Sequence, residues 1–476
     1  MVALTQELEI ALPPARLDLL RAVCHEANKL NSSLYLVGGF VRDLLLGAPP
    51  QDFDLVVEGD AIPLARALAR TSGGRVTGHE RFGTAKWHIP HGISQHETPY
   101  AIGDKPFATG DKLYAISDLP PSLDFVSARA ESYPYPGALP VVERGSIKPD
   151  LHRRDFTINT LALRLDQGHF GELLDFWGGE RDLREGKVRV LHSLSFMDDP
   201  TRMLRAVRLE QRLGFQIEER TGQWMSQALP LLDRVSGERI RRELEAIFNE
   251  DSPGPILARL HDLNILAHIH PDLKWDDSLA EKFRVLPELV VDPTWHLASA
   301  PSRAILYFAA WLAGLQEPGM EAVLERLRFT GKDADILRAA RRLTLDADLA
   351  RDLRPSEQVR ALKAYPEAAL AVRAMLGPPE VARRIQGYLS HLRFVSPAAG
   401  GTELMKRGLK PGPIYGKLLG ALRDAWLDGV ITSAEAESTL LDRLIAQEGS
   451  LQTADDRRQS ADGSQQTEDS RLTTDD

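Results

Sequence analysis

An apolar run, Leu34-Tyr35-Leu36-Val37, stops at Gly38-Gly39, and the acidic pair Asp52-Phe53-Asp54 follows a short way on. The run is bounded by glycine and polar residues and predicts a short buried strand. Gly38-Gly39 predicts the turn after it. Residues 41–46 read as a turn or two of helix, halted by Gly47, Pro49 and Pro50. Residues 53–57 read as a second strand. Side chains alternate along a strand, so Asp52 and Asp54 share a face. Two like charges so close repel unless a cation lies between them, and a hard divalent ion with oxygen ligands is the simplest resolution. The glycine turn offers backbone N–H groups to a phosphate, and Arg42 offers a charge. A metal, a phosphate cradle and an arginine suit phosphoryl or nucleotidyl transfer.

A chain of 476 residues is too long for a single core, so about two to four domains are expected. Its single cysteine, Cys24, excludes a disulfide framework and a cysteine-based zinc site. That favours a reducing cytoplasm, with Cys24 as a packed thiol in an amphipathic helix. No apolar run is long enough to span a membrane, and the acidic start does not resemble a secretory signal. A net charge of −10 argues against a nucleic-acid binder only until it is located. Residues 447–476 hold eight Asp or Glu and three Arg, about half of the excess. Binding RNA requires a local basic stripe, not a basic total.

Residues 1–33 read as helical. From 34 to about 130 the chain mixes strands and helices, with a helix at 62–70 and strands at 84–89 and 123–127. Residues 90–121, rich in Gly, Pro, His and Asp, read as an excursion between paired strands. Residues 131–150, with Pro134, Pro136, Gly137, Pro140, Gly145 and Pro149, read as a flexible loop. From about 155 the pattern becomes almost wholly helical, through 200–214, 219–229, 236–250, 254–265 and on to about 445. After 446 apolar residues nearly vanish, which predicts a disordered acidic tail. No tandem repeat is present. The expected fold class is α+β: a small mixed-sheet head followed by a long all-α portion.

Three further clusters carry possible chemistry. In Arg153-Arg154-Asp155-Phe156-Thr157-Ile158-Asn159, Asp155 can cap a helix. Arg154 could then face phosphates and Asn159 a sugar hydroxyl; a capped helix with a solvated basic edge is an equal alternative. In Asp198-Asp199-Pro200-Thr201-Arg202-Met203-Leu204-Arg205-Ala206-Val207-Arg208, Asp199 caps and Pro200 opens a helix. Arg202, Arg205 and Arg208 then line one face as a basic ridge. A solvated, salt-bridged helix side is the bland alternative. A carboxylate accepts from an amino group and a guanidinium donates to ring nitrogen or carbonyl oxygen, so Asp199 with Arg202 could read the pairing edge of a base. In Ser236-Gly237-Glu238-Arg239-Ile240-Arg241-Arg242-Glu243, the pairs Glu238–Arg242 and Arg239–Glu243 are four apart and read as structural. Asp175, before Trp177-Gly178-Gly179, reads as a turn organiser.

Taken in order, Gly38-Gly39-Phe40-Val41-Arg42-Asp43, Asp52-Phe53-Asp54, Arg153-Arg154-Asp155-Phe156-Thr157-Ile158-Asn159 and Asp199-Pro200-Thr201-Arg202-Met203-Leu204-Arg205 resemble the class II tRNA nucleotidyltransferases. These CCA-adding enzymes are grouped with bacterial poly(A) polymerases in the DNA polymerase beta superfamily. The order and spacing match over residues 34–245. The stretch from Gly401 to Pro413 also resembles the family's C-terminal region, and the match is weak between 260 and 400.

The resemblance implies a catalytic nucleotidyltransferase head at 1–165, a helical neck that reads the base at 166–260, a helical body and tail that hold tRNA at 261–446, and the acidic segment 447–476. It implies Mg2+ held by Asp52 and Asp54, triphosphate contacts from Gly39 and Arg42, and a nucleotide contact from Arg129. It assigns nucleotide reading to the helix of Asp199, Arg202, Arg205 and Arg208, and places Asp124 as a possible third carboxylate. Arg154, Asp155 and Asn159 support the site. The implied activity is template-free, two-metal transfer from CTP and ATP to the 3′ end of tRNA in the cytoplasm. The competing readings are addition of the terminal A alone, polyadenylation, and a non-catalytic RNA-binding relative. The Asp-Pro-Thr-Arg form, with Tyr135-Pro136-Gly137-Ala138-Leu139-Pro140, is similar to members that add only the A. Polyadenylating members usually carry a basic C-terminal arm, whereas this chain ends in an acidic one. His268-Ile269-His270 lacks the Asp of a metal-dependent phosphohydrolase motif.

Overall fold

A computed structural model describes residues 3–50, 53–80, 83–90, 108–109, 112–113, 119–132, 141–166 and 168–448. The strands are β1 Ser33–Val37, β2 Asp54–Glu58, β3 Arg75–His79, β4 Thr84–His88, β5 Ala108–Thr109, β6 Lys112–Leu113, β7 Ser122–Ser127, β8 Arg129–Ser132, β9 Val141–Arg144, β10 Ala162–Arg164, β11 Glu172–Leu174, β12 Lys187–Val188 and β13 Gln216–Ile217. Seven of them form one mixed sheet in the order β11-β10-β1-β2-β7-β4-β3. Only β2 and β7 run parallel within it, with Asp54 opposite Asp124 and Leu55 opposite Phe125.

The apolar run of β1 follows from burial on both faces. Tyr35 and Val37 pack with Val56, Ala128, Ile147, Leu151 and Ala162 on one side. Leu34 and Leu36, which are equally buried, point to the other. There α1 (Thr5–Ala11), α2 (Pro14–Lys29), α3 (Gly39–Leu45) and α4 (Ala61–Ser72) supply the helical content of the first part. Asp60 caps α4 by accepting from the Ile62 N–H at 3.0 Å, and Ile62, Leu64, Ala65 and Leu68 form its buried stripe. Cys24 is buried in α2, and burial pushes its thiol up to about 12, so it is a packing group at neutral pH.

The flexible-loop reading of 131–150 needs correction. β8 and β9 pair as an antiparallel hairpin, Arg129 opposite Arg144 and Ser132 opposite Val141, and α5 (Ile147–His152) follows. Ile147 and Leu151 are buried against the sheet, and that burial outweighs the local turn composition; truncating Leu151 to Ala should cost about 2–5 kcal/mol. Pro134, Pro136 and Pro140 fall in 133–140, outside the described residues. The onset of almost wholly helical structure at about 155 was also placed too early. β10 and β11 extend the main sheet past β1, and each is only three residues long, too short to show a period.

Helices then dominate: α6 Gly179–Arg184, α7 Ser195–Asp198, α8 Arg202–Leu213, α9 Glu219–Ala228, α10 Gly237–Phe248, α11 Pro253–Asp262 and α12 Ile265–Ile269. Met203, Leu204, Ala206 and Val207 bury one side of α8, and Gly214 ends it in the left-handed conformation at φ 67°. The chain forms two compact units: residues 1–280 with 325–328, and residues 281–324 with the chain from 329 onward. The second unit is helical, including Arg303–Leu312, Gly331–Leu345, Glu367–Leu376, Pro379–Ser390 and Pro413–Leu427. Phe308 meets Phe329 edge-on at 4.9 Å in its core, and Leu404, Leu418, Leu422 and Leu441 form a second cluster. No described helix is long and apolar enough to cross a membrane.

Candidate nucleotide-binding and catalytic site

The first unit contains a cavity of about 460 Å3 lined by residues from four separated stretches of sequence: Gly38, Gly39 and Arg42; Asp54; Arg153, Arg154, Asp155 and Asn159; and Asp199, Arg202, Arg205, Arg208 and Arg212. Seven arginines face three carboxylates there, so the cavity suits a polyanion. Gly38 leaves β1 with φ 71°. A Cβ at Gly38 would stand 2.7 Å from Arg154 Nη1 and 3.5 Å from Asp54 Oδ2. The missing side chain is therefore what lets a guanidinium and a carboxylate approach the turn together. The Arg154 Nε is buried and has no hydrogen-bond partner among the described residues, a donor placed beside an anion-binding turn.

Asp52 lies outside the described residues. Asp54 lines the cavity, and its register partner Asp124 stands beside it on β7. Lys86 reaches Asp124 at 3.2 Å, and both side chains are largely exposed. Two carboxylates on neighbouring strands next to a phosphate-type turn are hard oxygen donors of the kind that hold Mg2+; among the described residues no group of three or more His, Cys, Asp or Glu is poised for a metal.

A polar chain holds the cavity floor. Arg42 is buried; its Nε donates to Asp43 Oδ1 at 2.8 Å and its Nη1 to Asn159 Oδ1 at 2.7 Å. The Asn159 amide donates in turn to Asp155 Oδ1 at 3.0 Å, and Arg205 pairs with Asp155 Oδ2 at 2.6 Å. Burial alone would raise the Asp155 pKa; Arg205, Asn159, Arg202 and the Phe156 N–H outweigh it and hold the carboxyl below the usual range. Asp155 does not cap a helix. The following segment is a short 3-10 turn, Thr157–Asn159, without a side-chain cap, and Asp155 is instead a buried anion that ties two arginine-bearing segments together.

The ridge on α8 is less solvated than its spacing implied. Arg202 is 4% exposed, and two of its N–H groups donate to the carbonyls of Arg153 (2.7 Å) and Ser195 (3.4 Å). Arg208 lies 3.8 Å from Glu243 and 3.7 Å from Glu250. Burial raises the Glu243 pKa against the pull of Arg205 and Arg208, with Asp199 and Asp155 adding to the rise. Asp199 accepts on Oδ1 from the Thr201 N–H (3.0 Å), the Thr201 hydroxyl (2.7 Å) and Arg239 (2.8 Å). All three contacts fall on one oxygen, which leaves Oδ2 as the acceptor for a ligand. Arg239 was expected to pair with Glu243 along its own helix and reaches Asp199 instead. The other expected helix pair, Glu238–Arg242, forms at 2.6 Å. Asp175 organises a turn as expected, accepting from the N–H groups of Trp177, Gly178, Gly179 and Glu180.

Arg129 is not among the lining residues described; its N–H donates to Asp150 at 3.3 Å. Arg153 and Arg212 line the cavity without having been singled out. Arg212 could have been found, because it continues the α8 face one turn beyond Arg208. Arg239 had no such signal, since its partner is 40 residues away.

Comparisons with known proteins agree with this architecture. The poly A polymerase head domain family matches residues 34–189, and the family described as a probable RNA and SrmB-binding site of polymerase A matches residues 214–276. An A-adding tRNA nucleotidyltransferase of Geobacter sulfurreducens is 35% identical over 91% of this chain, which spans about half of that relative's length (47%). An A-adding tRNA nucleotidyltransferase of Halalkalibacterium halodurans is 33% identical over 85% of this chain and 86% of its own. A solved CCA-adding enzyme in an apo form superposes with a TM-score of 0.71 at 30% identity, covering 94% of this chain and 99% of that one. The chain therefore belongs to the family of CCA-type tRNA nucleotidyltransferases and poly(A) polymerases.

Proposed function

We propose that this chain transfers a nucleotidyl group from ATP or CTP to the 3′ end of tRNA, without a nucleic-acid template. The observation that carries the reading is the single cavity in which a glycine turn, Asp54 and the arginines of two further segments meet Asp199. Gly38, Gly39, Arg42 and Arg154 bind the triphosphate, and they steady the pyrophosphate as it leaves. Asp155 and Asn159 hold Arg42 and Arg205 in place. Asp199 accepts from the amino group of adenine or cytosine, and Arg202 fixes the segment that presents it. Arg205 and Arg208 complete the basic wall of the nucleotide site. Asp54 and Asp124 on neighbouring strands, with Asp52 by resemblance, would hold Mg2+, which would supply Lewis-acid activation of the RNA 3′ hydroxyl and charge neutralisation at the triphosphate. Arg129 belongs to this nucleotide site by resemblance, and the helices from 261 to 446 to tRNA binding. The substrates place the reaction in the cytoplasm.

A second reading narrows the product to the terminal A. It is favoured by the A-adding names of the relatives above and by the Asp199-Pro200-Thr201-Arg202 form. One assay tests both: tRNA ending at the discriminator base, at C or at CC is incubated with labelled CTP or ATP, and product lengths are read. Extension of all three acceptors supports full CCA addition. Extension only of the CC-ending acceptor, by one A, supports the narrower reading. No extension of any acceptor overturns the proposal.

A further inference from the structure

Outside the cavity, four rings stand in a row in the first unit. Phe176 meets Trp177 edge-on with centroids 5.4 Å apart, Trp177 lies 5.4 Å from His152, and His152 stacks on His192 at 5.5 Å and 23°. The Lys148 ammonium sits 5.3 Å from the Phe176 ring. Trp177 packs on the cluster containing Val56, and Val56 shares a sheet face with Asp54. The row therefore lies on the same face of the sheet as the catalytic carboxylate.

Core packing accounts for Trp177 but not for its neighbours. Phe176 is 42% exposed, and His152 is exposed as well. The histidine end of the row neighbours cavity-lining residues. His152 precedes Arg153, a lining residue, and His192 lies 3.8 Å from Asp198, next to Asp199. Asp175, the carboxylate nearest Phe176 in sequence, is occupied by four backbone N–H groups. Burial lowers the His192 pKa against the pull of Asp198, which favours the neutral ring. Exposed aromatic faces flanked by a cation are how proteins hold unpaired bases, because every base has a π-face.

We infer that Phe176, Trp177, His152 and His192, with Lys148, form a stacking platform for the unpaired nucleotides at the 3′ end of the RNA acceptor. This rests on the nucleotidyl-transfer reading above. The incoming nucleotide's base is read inside the cavity at Asp199, whereas the acceptor must arrive from outside it, along a surface that ends at Asp54. The row shares the sheet face of Asp54, and its tolerance of base identity fits an end that changes sequence as it grows.

The test uses the full chain carrying Phe176→Ala or His152→Ala, with Phe176→Tyr as the conservative control. Two quantities are measured: the KM for tRNA ending in CC against the KM for ATP, and the affinity for an RNA hairpin with a short single-stranded 3′ end against the same hairpin with a blunt end. Each Ala variant should raise the tRNA KM about tenfold with a much smaller change in the ATP KM. Each should also remove the preference for the single-stranded end, and Phe176→Tyr should restore both. If Phe176→Ala unfolds, His152→Ala carries the test, because that ring is exposed. Unchanged tRNA KM and unchanged end preference overturn the platform. If the wild type extends no tRNA, the nucleotidyl-transfer reading has failed on its own, and the hairpin measurement still decides whether the platform binds RNA.

Discussion

Arg239 of α10 donates to Asp199 Oδ1 at 2.8 Å, so the carboxylate proposed to read the base is held from a helix outside its own segment. The contact fixes one oxygen of Asp199 and leaves the orientation of the other determined. Asp199 has no donor and can only accept. Adenine and cytosine carry an amino group at C6 or C4 of the pairing edge; guanine and uracil carry a carbonyl at that same position, which would set two acceptors against each other at a cost of roughly 1–3 kcal/mol.

Asp199→Ala should therefore relax discrimination against UTP and GTP and slow incorporation of ATP. Arg239→Met should do the same more weakly, because the carboxylate remains but is no longer fixed, and Arg239→Lys should recover part of the loss. Incorporation of all four nucleotides on one tRNA acceptor is the measurement. Equal loss with every nucleotide would show that Asp199 serves only the start of α8.

Asp54→Ala, and separately Asp52→Ala, should lower incorporation by at least about a hundredfold, as loss of a metal ligand does. Asp54→Ala should not lower the melting temperature, since it removes like-charge repulsion against Asp124 on the neighbouring strand. Near-normal rates at limiting magnesium would refute the ligand assignment.

Gly38→Ala tests the turn. The position has φ 71° and ψ −130°, backbone close to a region essentially confined to glycine, where an L side chain is strained by roughly 1–3 kcal/mol, and the new Cβ would meet Arg154 Nη1 at 2.7 Å. Arg154 is the end of a flexible side chain and will move. The expected result is a modest fall in stability and a larger rise in the KM for ATP. An unchanged KM would mean that Arg154 does not contact the triphosphate.

The head was legible because its signals are local. The apolar strand 34–37, the double glycine and Asp54 at the start of β2 each report on their own neighbourhood, and the structure brings Gly38, Gly39 and Asp54 to one cavity. The hairpin of 129–144 was hidden because prolines and glycines dominate the segment while its strands are short. β10 and β11 were hidden because three residues cannot display alternation. The arginines of α8 were legible as a face through their spacing. Their partners were not, because Asp155, Glu250 and Glu243 come from other elements, and a single sequence carries no sign of which distant carboxylate will meet which guanidinium. For the same reason Arg239 was assigned to Glu243, its neighbour along the helix, when the fold offers it Asp199.

Buried Asp155 and half-buried Glu243, both beside α8, should leave opposite marks on acid stability. Asp155 has a folded pKa below its unfolded value. Its stabilising contribution is complete above the unfolded pKa, near 4, and is lost as pH falls through the lower folded value. Glu243 has a folded pKa above its unfolded value. The folded state then holds the proton longer than the unfolded chain, so stability falls as pH rises from the unfolded toward the folded pKa. Above that range the charged form carries a constant penalty. Glu243→Gln should therefore raise the melting temperature at pH 7 and flatten its fall as pH rises above the ordinary carboxylate range. Asp155→Asn should lower the melting temperature at pH 7 and leave it less sensitive to acid below about pH 4. Thermal melts of both variants and the wild type from pH 3 to 8 provide the comparison. A Glu243→Gln variant that is less stable than wild type at pH 7 would mean that the attraction of Arg205 and Arg208 exceeds the cost of burying the charge.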